Sequence, residues 1–134
     1  MSVSLNLAEA ISIIRAAIAR AQELEILVSV TVCDDQGHLI AFNRMDGALL
    51  ESDRFSIGKA VASAGTGLPS GQIEGMVYHP LLTIGEGMPA FRIPGGLPIL
   101  RNGNVAGGCG VDGAPSHDQE EECARVGIAS IRQA

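Results

Sequence analysis

Tryptophan is absent from this chain, and aromatic residues make up only 3% of it. A core without large rings must be assembled from Ile, Leu, Val and Ala. Basic residues are also few: nine Lys and Arg stand against fifteen Asp and Glu, for a net charge of −6. Those nine are scattered, which argues against nucleic acid as a partner, because phosphate backbones need clustered cations. No basic amphipathic stretch suits a membrane surface, and no run approaches the ~20 apolar residues of a spanning helix. The N-terminal residues lack a basic region and carry an early Glu9, unlike a secretory leader, so a cytoplasmic protein is expected. Cys33, Cys109 and Cys123 are an odd set without CxxC spacing, which predicts reduced, packed thiols. The three histidines are far apart, which gives no zinc spacing. No phosphate-binding loop or G-x-S-x-G elbow is present; Gly85-Glu86-Gly87 is too weak a glycine pair to count.

What is present suits one domain over residues 1–134. At 46% hydrophobic residues, so short a chain is expected to bury some apolar surface between subunits. Residues 6–24 read as an amphipathic helix. Asn6 and Glu9 form its capping box, and Leu7, Ile11, Ile14, Ile18, Ala21 and Leu24 form its stripe. Residues 27–34 alternate, with Val28, Val30 and Val32 on one face, which predicts a half-buried strand. The Asp34-Asp35-Gln36-Gly37 turn leads to a second strand over 38–45. Ser52 is predicted to cap a helix over 53–64 that turns Phe55, Val61 and Ala62 inward and ends at Gly65. The Pro- and Gly-rich stretch 65–96 reads as a long functional loop with a short turn after Ser70. Asn102-Gly103 joins two further strands, and Ser116 with Gln119 starts the last helix. Two hairpins with helices around them give an α+β fold on an antiparallel sheet.

Two stretches carry a resemblance. One runs Val30-Thr31-Val32-Cys33-Asp34-Asp35-Gln36-Gly37-His38-Leu39-Ile40, then Arg44-Met45-Asp46-Gly47 and Lys59-Ala60. The other is Gly95-Gly96-Leu97-Pro98-Ile99 with Gly107-Gly108-Cys109-Gly110-Val111-Asp112-Gly113, then Asp118 and Glu121. Together they resemble the GlcG/HbpS-like haem-binding (haem-degrading) family, also seen as the C-terminal domain of PduO-type proteins, over nearly the whole chain. The resemblance implies a profilin-like fold, a homo-oligomer from dimer to octamer, and haem as the cofactor of some members.

Candidate chemistry follows from residue type. Arg44 and Asp46, two apart on a strand, share a face. They form either an ion pair or a joint grip on a polar ligand, and an arginine fork suits haem propionates or a small organic acid. Lys59 lies among apolar neighbours as an anion clamp or proton-moving base, or it snorkels to solvent. His79 is the candidate axial haem ligand or general acid–base, and Tyr78 the second candidate ligand. Glu86 and Arg92 bracket Gly87-Met88-Pro89, at a pocket mouth or as solvated loop charges. His117 and Asp118 read as a helix cap, and His38 as exposed. Haem-type small-ligand binding is the leading expectation. The alternatives are a lyase, deaminase or isomerase acting on a small organic acid, with His79, Lys59 or Glu86 moving protons, and a non-catalytic oligomeric sensor.

Overall fold

A computed structural model describes residues 4–73 and 91–131. Helix α1 spans Leu7–Glu23, followed by strands β1 (Ser29–Asp34) and β2 (Leu39–Arg44) and helix α2 (Ser52–Thr66). A short 3₁₀ turn covers Ser70–Gln72; β3 (Gly96–Arg101), β4 (Asn104–Asp112) and α3 (His117–Ile128) complete the order. The strands form one antiparallel sheet in the order β2-β1-β4-β3. Helices α1 and α3 pack on one face with Val28, Val30, Val32, Cys109 and Val111, while α2 covers the other with Cys33 and Phe42. No helix among the described residues is long and apolar enough to cross a membrane.

The local signals explain the element ends. Asn6 accepts from Glu9 N at 2.8 Å, and Asn6 N donates to Glu9 Oε1 at 3.1 Å, which closes the capping box of α1. Asn102 and Gly103 both have positive φ, 54° and 79°, as the type I′ turn of the second hairpin requires. Pro98 lies on β3, an edge strand, where a missing N–H costs no ladder bond.

Three expectations need correction. The strand expected to be half-buried is covered on both faces: Ser29 and Thr31 are buried as fully as the valines. Their hydroxyls survive burial because α2 brings matching ones. Ser29 Oγ meets Ser52 Oγ at 2.8 Å, and Thr31 Oγ1 meets Ser56 Oγ at 2.9 Å. Ser52 and Ser56 spend their own protons on Leu49 O and Asp53 O, so the β1 hydroxyls are the donors across the layer. Ser52 is therefore no helix cap; the cap position is Glu51, which makes no side-chain capping bond. The helix also runs past Gly65 to Thr66, and Gly67, at φ 74°, supplies the left-handed stop. In α3, Ser116 caps Gln119 N, while the Gln119 side chain meets the Ser116 hydroxyl.

Close approach of α2 to β4 rests on missing side chains. A Cβ at Gly108 would stand 2.1 Å from Ala60 O, and one at Gly110 would stand 2.0 Å from Ser56 O. The glycines let the helix backbone lie directly on the strand.

All three cysteines are free and buried. Burial pushes the Cys33 thiol up to about 12 and the Cys123 thiol up to about 11, and it pushes Cys109 up further. Only thiolate reacts with a disulfide reagent. The native protein at pH 8 is thus expected to leave all three unmodified over minutes, and denaturant to release all three together. Fast labelling of one thiol without denaturant would contradict this packing.

Candidate ligand-binding site

Lys59 projects from the middle of α2 and is 0% exposed. Its Nζ donates to Val111 O at 3.1 Å, Asp112 Oδ1 at 2.6 Å and Glu120 Oε1 at 3.0 Å. An ammonium has three protons, so no donor is left for a ligand. Glu120, only 3% exposed, accepts on its other oxygen from the backbone N–H groups of Gly113 (2.9 Å) and Ala114 (3.2 Å). His117 Nδ1 lies 2.9 Å from Glu120 Oε1. Burial pushes the Asp112 carboxyl above the ordinary range, more than the adjacent Lys59 pulls it down. This buried cluster locks α2, β4 and α3 together.

The Gly95-Gly96 pair belongs to the same cluster. Gly95, at φ 129°, would bring a Cβ within 2.7 Å of Lys59 Nζ, and Gly96 would bring one within 2.4 Å of Lys59 O. Sequence reasoning missed Asp112 and Glu120 as partners of Lys59. The one available signal was a lysine flanked by apolar residues, which requires a buried carboxylate somewhere.

Arg44 and Asp46 do come together. With Ile18, Gln22, Asn43 and Met45 they line a shallow, polar depression of about 370 Å³ between the end of α1 and the end of β2. Arg44 Nη2 donates to Ala48 O at 2.6 Å, so the guanidinium also holds the β2–α2 connection. Among the described ion pairs none joins Arg44 to Asp46.

Arg92 lies on the segment that re-enters the fold beside α2, where Phe91 N donates to Gly58 O at 3.0 Å. Phe91 meets Phe55 with ring centroids 4.9 Å apart, so two of the three phenylalanines stand next to that arginine. Tyr78, His79 and Glu86 lie outside the described residues. A second, more apolar groove of about 320 Å³ is lined by Leu97, Pro98, Arg125, Ile128 and Ala129. His38 is exposed and 3.4 Å from Asp34 Oδ2, within its own turn.

The antiparallel sheet with this helix arrangement, together with the sequence, places the chain in a known class of α+β domain. The family model described as "Haem degrading protein HbpS-like" matches residues 5–129, and the chain belongs to that family. It is 32% identical to a structure of a double mutant of Streptomyces reticuli HbpS, covering 96% of this chain and 88% of that one, with a TM-score of 0.82. It is 27% identical to the solved PduOC:heme complex, covering 98% and 97%, also with a TM-score of 0.82. Among curated sequences it is 30% identical to the corrinoid adenosyltransferase PduO of Citrobacter freundii, over 97% of this chain but only 40% of that protein. The chain thus spans about two fifths of that relative's length. The resemblance read from the Arg44–Gly47, Lys59-Ala60 and glycine motifs is borne out. The likenesses favour haem-type ligand binding and lend no support to an enzyme acting on a small organic acid.

Proposed function

We propose that this chain is a haem-binding domain that works as a homo-oligomer in the cytoplasm. The observation that carries the reading is the match along nearly the whole chain to a domain solved with heme. The described residues fit such a ligand in kind. A flat apolar group needs aromatic or aliphatic walls, and its propionates need cations. Phe55 and Phe91 offer the wall beside Arg92. Arg44, in the depression it shares with Asp46, offers a second cation. His79 and Tyr78 are the candidate axial ligands. Bound haem would supply an iron centre able to take an axial ligand or an electron. Three packed thiols without disulfides suit a reducing compartment.

Thermal melting with haemin and with metal-free protoporphyrin tests the reading. Ligand at a hundredfold excess over its Kd adds about 2.7 kcal/mol to stability, which for a domain of this size raises Tm by about 10 °C. Haemin is expected to shift Tm by that order, and protoporphyrin, lacking iron for axial ligation, by less. No shift with either porphyrin would sink the proposal.

A further inference from the structure

We infer that the open edge of β2 is the docking surface for a second copy of this chain, through antiparallel β2–β2 pairing around a twofold axis. This deepens the homo-oligomer part of the proposal above and rests on it. The sheet has two edges, β2 and β3. Edge strands that stay unpaired are guarded by proline, by charge or by a covering element. β3 carries Pro98, and Arg101 at its end is paired with Glu9. Among the described residues β2 has no proline and no covering element, and its one charge, Arg44, stands at its end; Ile40, Ala41 and Phe42 pack against the two cores, Leu39 is exposed, and no residue of the strand is fully buried. That leaves an edge open to another strand.

Helix α1 supplies a second, independent match. It runs parallel to β2, from Ser4, bonded to Asp35 at the turn, to Ile18 and Gln22 beside Asn43–Asp46. Leu7, Ile11, Ile18 and Gln22 recur on one helical face, so the face that reaches the β2 end also bears Leu7 and Ile11. Those two are 58% and 38% exposed, and Leu39 on the strand is 45% exposed. A twofold axis normal to the sheet keeps α1 of both copies on the same side. The operation that pairs the β2 edges therefore also brings the two Leu7–Ile11 stripes together, antiparallel. It sets the Asp34–Asp35 turn of one copy beside the Arg44 end of the other, so opposite charges meet. A six-residue strand is ~20 Å long, and a helix layer ~10 Å above it doubles the contact height, so each copy buries roughly 500 Å². The total of ~1,000 Å² stands at the lower bound for a biological interface.

Sedimentation equilibrium on the full chain at tens of micromolar tests this, comparing wild type with a Leu39→Lys/Ile11→Lys variant and a control Leu100→Lys/Val126→Lys variant at the opposite side of the molecule. Wild type and control are expected at twice 13.9 kDa or a higher even multiple, and the β2–α1 variant at half the wild-type mass or less. A monomeric wild type would overturn both the oligomer reading and this surface, leaving the edge to a foreign strand. An unchanged mass in the β2–α1 variant would overturn the surface alone. Should that variant unfold, hydrogen exchange on wild type decides instead. Amides of residues 39–44 are expected to exchange at least tenfold more slowly at 200 μM than at 1 μM, and equal rates would overturn the pairing. Haem binding is read separately, so its failure leaves this result standing.

Discussion

Lys59→Met is expected to lower the unfolding free energy by about 3–5 kcal/mol, a large share of the 5–15 kcal/mol typical of a domain. The reason is what stays behind. Glu120 stays buried and Asp112 stays part-buried beside it without their cation, with Gly113 and Ala114 N–H groups as the main compensation for Glu120. An unpaired buried carboxylate costs far more than the same group at the surface. Neutralising the partners as well, in Lys59→Met/Asp112→Asn/Glu120→Gln, is expected to recover at least half of the loss, because replacing a whole buried ion cluster is often close to neutral. Guanidinium denaturation of the three proteins measures this. A loss below about 1 kcal/mol for Lys59→Met, as an exposed pair would give, would contradict the cluster as drawn.

Gly110→Ala is expected to cost about 3 kcal/mol or more, or to give no folded protein. Its Cβ would meet Ser56 O at 2.0 Å and Ala60 N at 2.6 Å, both backbone atoms of α2. Backbone cannot swing aside as a side chain can. The helix would have to lift from β4, stretching the Thr31–Ser56 bond and the reach of Lys59 to Val111 and Asp112. Gly103→Ala makes the contrast. Nothing lies within 4 Å of its Cβ, and only the positive φ of 79° resists substitution, which costs about 1 kcal/mol. Equal denaturation midpoints for the two variants would mean that α2 does not rest on the strand.

The two hairpins and the ends of α1 were legible because their causes are local. A capping box spans four residues, and an Asn-Gly turn dictates its own dihedrals. The burial of β1 was not legible, because Ser29 and Thr31 are tolerated only through hydroxyls from α2, 23 and 25 residues further on. Lys59 shows the same limit at longer range: its carboxylates are 53 and 61 positions away, and nothing beside the lysine announces them. Arg44 and Asp46 do line one depression, but β2 ends at Arg44, so strand periodicity is not what brings Asp46 there. It had no means of showing that the guanidinium also grips Ala48 O, a bond set by the path of the β2–α2 connection.

Whether this HbpS-like chain binds haem is tested most directly by a visible-spectrum titration of the purified protein with haemin. A saturable Soret shift is expected at one haem per chain or per chain pair, weakened at least tenfold in His79→Ala or in Tyr78→Phe. A spectrum that never saturates, or that matches haemin with an unrelated protein, would contradict haem binding.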